Sequence, residues 1–368
     1  MLLTSFSTRQ KVVPKRTSLE QKNEQRAYWI IAMLIGIALL SVLLSTVVGA
    51  YALSWEELIR LFFAWTGYTT VPEESSIYLL WQIRLPRIVL GLVVGAGLAL
   101  TGATVQVIFR NPLAEPSLIG ISSGAMLAAV SFIVLQNQLL NQLGAVGYSL
   151  GLAAAAFLGA LLATGLVYRL STRNGRTQVG VMLLAGIAIT ALAASLTGLL
   201  IFYADEAALR DITFWNLGSL SGARWPIVGM ISGVVILAFW QITKQAQQLE
   251  ILQLGEQEAR YLGVEVQAIK RQLIVWIVLV VGTCVAFTGL IGFVGLVVPH
   301  LTRLLLPKSS FRVLLIATAL LGAALITNAD MIARTIVRPA ELPIGILTAL
   351  LGAPFFLFLL IKNNAFNE

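Results

Sequence analysis

Apolar residues recur along this chain in blocks long enough to cross a bilayer, and the polar residues gather in the gaps between them. A membrane-spanning helix needs about 20 mainly apolar residues. The pattern predicts ten spans, over residues 28–50, 86–109, 117–136, 146–170, 178–203, 226–243, 271–288, 290–306, 312–329 and 342–361. The fold class is therefore an all-α polytopic membrane protein. It divides into an N-terminal tail (1–27), a ten-helix transmembrane domain (28–362) and a C-terminal tail (363–368), and no soluble domain is left over to hold a separate site.

Composition agrees with this pattern. Of 368 residues, 58% are hydrophobic and 11% charged, against about 25% charged in soluble proteins. Cytoplasmic segments of membrane proteins are enriched in Lys and Arg. With the N-terminus inside, all seven lysines fall on the cytoplasmic side, beside Arg110, Arg169, Arg173 and Arg176. The outer segments carry Glu56, Glu57, Glu73, Glu74, Asp205, Glu206, Asp211, Asp330 and Glu341. Arg84, Arg87, Arg210, Arg224, Arg334 and Arg338 also fall outside and break the rule. An even number of spans returns the C-terminus to the cytoplasm. The run at 28–50 is too long for a signal-peptide core and reads as a retained span. The net charge of +8 is explained by residues flanking the spans, not by nucleic-acid binding.

An internal repeat is visible. "LVVGAGLALTG" (92–102) matches "LVVGTCVAFTG" (279–289) at seven of eleven positions, 187 residues apart. At the same offset Arg84 falls on Arg271 and Pro112 on Pro299. One copy starts outside and the other inside, so the repeat is inverted, as is common in transporters.

Little in the chain points to covalent chemistry. Cys284 is the single cysteine and His300 the single histidine, so neither has a second ligand of suitable type, and no metal site or cofactor is expected. His300→Gln is expected to leave cargo choice unchanged. No Asp, Glu or Lys lies well inside a predicted span, which disfavours ion coupling. No G-x-x-x-x-G-K-[ST] loop is present, so energy from ATP must come through a partner. The loop at 249–271 is amphipathic and broken by Gly255 and Gly263, which predicts two short helices on the cytoplasmic face. "NPLAEP" (111–116) is a tight inner turn. "TGLIGFVGLVVPH" (288–300) sits in a segment too long for one span and barely long enough for two, so Gly289, Gly292, Gly295 and Pro299 predict a helix break. The break is expected to recur in inverted form near 98–112.

In this order the chain carries "RLPR" (84–87), "NPLAEP", "LLAG" (183–186), "GSLSG" (218–222), "GEQEARYLGV" (255–264), "GLIGFVGLVVPHLTRLL" (289–305) and "ELPIG" (341–345). Together these resemble the FecCD-type permeases of bacterial binding-protein-dependent ABC importers, over nearly the whole chain from about residue 28. The resemblance implies a transport subunit, not an enzyme, in the bacterial cytoplasmic membrane. Its partners would be two ATPase subunits, a second permease and an extracytoplasmic substrate-binding protein. The cargo would be an iron chelate, a ferric siderophore first, with haem or cobalamin as alternatives and a stand-alone carrier further behind. The resemblance places Gly255, Glu256, Glu258, Ala259, Arg260 and Gly263 against the ATPase. It assigns Arg84, Arg87 and Arg334 to docking of the binding protein, and Asn111 and Leu113 to an inner gate. "GRTQVG" (175–180) departs from the Ser/Thr pair of the cobalamin members, so no gate residue carries over there. The implied mechanism is alternating access around an apolar, low-affinity path.

Overall fold

The structure, a computed structural model, describes residues 18–49, 56–57, 59–60, 63, 74–139, 144–337 and 340–364. Arg9, Lys11, Lys15, Arg16, Glu73, Arg338 and the last four residues lie outside the described residues. The ten predicted spans appear in order as α1 (Ser18–Val47), α2 (Leu85–Ile108), α3 (Ile121–Leu139), α4 (Ala145–Ser171), α5 (Val179–Phe202), α7 (Trp225–Lys244), α10 (Val266–Thr288), α11 (Val294–Leu305), α12 (Phe311–Ala333) and α13 (Ile344–Asn364). Between spans lie α6 (Glu206–Leu217), α8 (Ala246–Leu254) and α9 (Glu256–Tyr261), a short helical stretch over Glu74–Tyr78 and Leu79–Arg84 that leads into α2, and a 3-10 turn at Pro116–Ile119. Seven of the ten are long and apolar enough to cross a membrane alone; α3, α11 and α13 are shorter apolar stretches.

The connections separate into two ends. At one, the turn after α2, a β-hairpin between α4 and α5, and the α8–α9 pair come together. At the other, α6, the end of α10 and the segment before α13 exchange backbone hydrogen bonds. These ends are called inner and outer after the charge asymmetry above. The hairpin was not foreseen. It pairs Thr172 with Thr177 and Arg173 with Arg176, and Asn174 and Gly175 turn it at φ 53° and 72°. Such positive φ values at both central positions are what a tight Asn-Gly hairpin turn requires.

Lipid is as apolar as leucine, so helices in a membrane are joined by close packing of small residues and by hydrogen bonds. A Cβ on Gly95 of α2 would lie 2.2 Å from the Gly322 carbonyl oxygen of α12. Gly124 of α3 and Gly159 of α4 approach each other in the same way. Gly282, the repeat counterpart of Gly95, faces Phe157 and Ala160 of α4. Thus α2 packs on α12 and α10 packs on α4, the exchange of partners that an inverted repeat produces. The buried threonines Thr101, Thr104, Thr302 and Thr327 send their hydroxyls to the carbonyl four residues back, whereas the buried hydroxyls of Thr164 in α4 and Thr318 in α12 find no partner.

The break falls at Gly289–Phe293. Gly289 has φ 68° and Phe293 φ 66°, and α11 restarts at Val294. Gly289 and Gly292 therefore belong to it, whereas Gly295 and Pro299 lie inside α11 and correct the expectation for those two. The inverted copy is also corrected: α2 runs unbroken through Thr101 and Gly102 to Ile108. Two of the charged residues at the ends of the spans are buried, though neither lies well inside one. Asp330 falls in the last turn of α12 and Lys270 in the second turn of α10, both buried and both ion-paired near helix ends.

Candidate functional site

At the inner end, α8 and α9 form the two short helices that the glycines predicted. Gly255 separates them at φ 146°, where a Cβ would stand 1.8 Å from the Glu258 carboxylate. Glu258 and Arg260 are exposed and face an open polar groove of about 390 Å3, shared with Arg110 of the turn after α2. Gly263, at φ 81°, stands in open space. Two residues expected at the surface are turned inward. Ala259 is fully buried beneath α9, and Glu256 directs Oε1 to the buried Lys270 ammonium at 2.5 Å. In their place the structure exposes Leu254 (68%), Tyr261 (89%) and Leu262 (62%), three large apolar side chains at one end of a membrane protein. The signal was present in "EARYLGV", where an aromatic and a leucine end a charged helical turn.

The turn after α2 is shaped by its own polar groups. Arg110 adopts φ 47°, and the Asn111 side chain accepts from the Leu113 amide at 2.9 Å, a local turn that asparagine favours. Asn111 is exposed at the inner end and Leu113 half-buried.

At the outer end, Arg84, Arg87 and Arg334 do come together, but not as free surface cations. Their relative exposures are 3%, 7% and 4%. Arg87 binds Asp330 through Nε and Nη2 at 2.9–3.1 Å and Glu341 through Nη1 at 2.9 Å. Arg334 pairs with Asp330 at 3.1 Å and donates to Ser45 at 2.6 Å. Arg84 donates to the carbonyls of Thr46 and Val47 at the end of α1. The cluster ties α1, α2, α12 and the segment before α13 together. Of its two acids, Asp330 is enclosed and Glu341 has a side chain 38% exposed.

Between the two ends, residues of the first repeat grip α11. Proline has no N–H, so Pro299 leaves the Gly295 carbonyl without its helical donor. The Gln106 side-chain amide of α2 lies 3.4 Å from that oxygen and 3.3 Å from the Leu296 oxygen, while the Gln106 Oε1 accepts from Arg303. Glu115 accepts the Phe293 amide at 3.1 Å, ahead of the first turn of α11. Glu115, Ser117, Ser122, Val281, Val285 and Gly292 are among the residues lining a cavity of about 210 Å3 at this seam. Neither Gln106 nor Glu115 was singled out from sequence. Gln106→Leu is expected to destabilise the protein by about 1–3 kcal/mol, because it strands a buried carbonyl. Adding Pro299→Ala restores an N–H for Gly295 and is expected to recover part of the loss, read as melting temperature in detergent; no recovery would count against this account. His300 packs edge-on against Phe355 of α13 with ring centroids 6.1 Å apart, which is a packing role. Among the described residues no group of three or more His, Cys, Asp or Glu is placed to hold a metal.

The model of the FecCD transport family matches residues 37–362. The hemin transport system permease protein HmuU of Yersinia pestis is 42% identical over 299 residues, 81% of this chain and 88% of that protein. The vitamin B12 import system permease protein BtuC of Vibrio cholerae is 37% identical over 345 residues, 94% of this chain and 96% of that protein. Among solved structures, an inward-facing conformation of a metal-chelate type ABC transporter superposes with a TM-score of 0.77 at 32% identity, covering 90% of this chain and 99% of that one.

Proposed function

The chain belongs to the FecCD transport family, and from that premise we propose that it carries a ferric siderophore inward across the membrane by alternating access. It is a multi-pass inner-membrane permease of an ABC importer, a transport component whose ATP is hydrolysed by separate ATPase subunits. A stand-alone carrier drops out with that membership. The siderophore reading is supported by the metal-chelate transporter with which the fold superposes and by the outer "FWNLGSLSGARW" stretch (214–225). Haem is the second reading, supported by 42% identity to a hemin permease. Uptake of radiolabelled ferric siderophore, haem and cobalamin by the reconstituted complex separates them; transport of haem or cobalamin alone would overturn the first reading.

The exposed Tyr261–Leu262 tip of α9 is the observation that carries the coupling role. Burying a large apolar side chain contributes roughly 1.5–3 kcal/mol, so this tip is suited to a hollow on the soluble ATPase, with Glu258 and Arg260 as its charged rim. The double substitution Tyr261→Ala, Leu262→Ala is expected to abolish co-purification of the ATPase while leaving the permease folded; undiminished co-purification would argue against this contact. At the outer end the binding protein is proposed to dock by presenting an acid that displaces Glu341 from Arg87, while Asp330 stays in place. Asn111 and Leu113 are proposed to close the inner end of a path shared with the second permease. Both termini are proposed to face the cytoplasm, on the evidence of the lysine distribution.

A further inference from the structure

Lys270 is the largest fully buried side chain among the described residues. Its ammonium joins two elements that are separate in sequence. On one side it meets Glu256 Oε1 of α9 at 2.5 Å. On the other it donates to the Thr177 carbonyl at 3.4 Å. Gln267, one turn earlier on α10, accepts the Thr177 amide at 2.9 Å. Both backbone groups of Thr177 are therefore held by α10. Thr177 is the last residue of the hairpin, and α5 begins two residues later at Val179. The hairpin is also braced internally, with a 2.9 Å contact between the Thr172 and Thr177 hydroxyls and a 3.0 Å bond from the Gln178 amide to the Ser171 carbonyl. Few flexible links intervene between α9 and the first turn of α5.

We propose that Lys270 is a positioning residue that carries displacement of α9 to the hairpin and thence to α5. This rests on the reading of α9 as the ATPase contact. A buried ion bonded on both sides suits the task, because separating it from Glu256 leaves an unpaired charge out of water, and separating it from Thr177 leaves a buried N–H and a buried carbonyl without partners. The link therefore transmits a pull as well as a push, which apolar packing does poorly. Arg260, 3.6 Å from Glu256 and exposed, is not part of it.

The test places a reporter on the hairpin. Asn174→Cys at the turn is labelled with an environment-sensitive dye; Cys284 is fully buried and stays unlabelled. The permease is co-purified with its ATPase and the dye signal is compared without nucleotide and after trapping with ATP and vanadate. With Lys270 present the signal is expected to change on trapping. With Lys270→Met the change is expected to fall about fivefold or more, within the usual range of coupling between sites, while ATP hydrolysis continues; Lys270→Arg is expected to restore it. Should Lys270→Met fail to assemble, Glu256→Gln with Lys270→Met removes both charges together and is expected to assemble with the same lost response. An undiminished signal change in an assembled Lys270→Met or double-substituted complex would overturn the proposal. Failure of the ATPase to co-purify with the unsubstituted permease would instead sink the reading of α9.

Discussion

Gly102→Ala is expected to prevent accumulation of folded protein, whereas Gly198→Ala is expected to be tolerated. A Cβ on Gly102 would stand 2.0 Å from the Gly295 carbonyl oxygen and 2.4 Å from its Cα. Both contacts are backbone, so no rotamer change relieves them. Overpacking ordinarily costs about 1–3 kcal/mol and occasionally more. Here the cost should exceed that, because α2 is packed on its far side too, where a Cβ on Gly97 would stand 2.9 Å from Val280 and 3.0 Å from Val235, so it has little room to move away. Separating α2 from α11 would also pull Gln106 off the carbonyl that Pro299 strands. Gly198 has nothing within 4 Å of a Cβ, and a helical Gly→Ala change in open space gains up to about 1 kcal/mol. Membrane-inserted yield and melting temperature in detergent compare the two. Equal behaviour would mean that the α2–α11 seam is not the close backbone contact described.

Asp330→Asn is the second large effect expected. Asp330 takes two buried guanidinium groups, Arg87 and Arg334, and is itself 2% exposed. Removing one member of a buried ion cluster costs roughly 3–5 kcal/mol, because the remaining charges stay out of water uncompensated. Glu341→Gln touches the same Arg87, yet a half-exposed partner contributes about 0–1 kcal/mol. The expected result is a large fall in melting temperature for Asp330→Asn and a small one for Glu341→Gln. If docking proceeds by displacing Glu341, Glu341→Gln should also bind the extracytoplasmic binding protein more tightly, because the competitor on Arg87 is weakened. Equal melting temperatures would refute the division of labour between the two acids, and unchanged affinity would refute the displacement.

The order and number of spans were legible because bilayer thickness sets a length that apolar runs must meet; nine of the ten runs became helices within about five residues of their expected bounds, while α1 begins at Ser18, ten residues before the apolar run expected at 28–50. Gly255 and Gly263 likewise marked the ends of short helices, since their backbone angles are costly for other residues. Which side chains of α9 face outward was not legible. Six residues with three charges give no apolar stripe, and the burial of Ala259 and the inward turn of Glu256 follow from where α9 lies on α10. The outer arginines were grouped correctly, but their burial was invisible. Asp330 and Glu341 lie more than two hundred residues from Arg87 in the chain and reach it only through packing.

The two copies of the repeat mark that boundary most plainly. Both contain Thr-Gly, at 101–102 and at 288–289. Sequence alone determined that each lies in a membrane helix and that a small residue is needed there. Tertiary structure decided that one helix continues and the other stops. At Gly102 the missing side chain admits the backbone of α11, and the helix runs on to Ile108. At Gly289 the Ser219 amide after α6 donates to the Thr288 carbonyl at 2.7 Å, and a Cβ would meet the Trp215 oxygen at 2.1 Å. The end of α6 thus takes the place of the next helical turn. An identical dipeptide has the same local preferences in both places; the group that satisfies its carbonyls differs, and that group is brought by the fold.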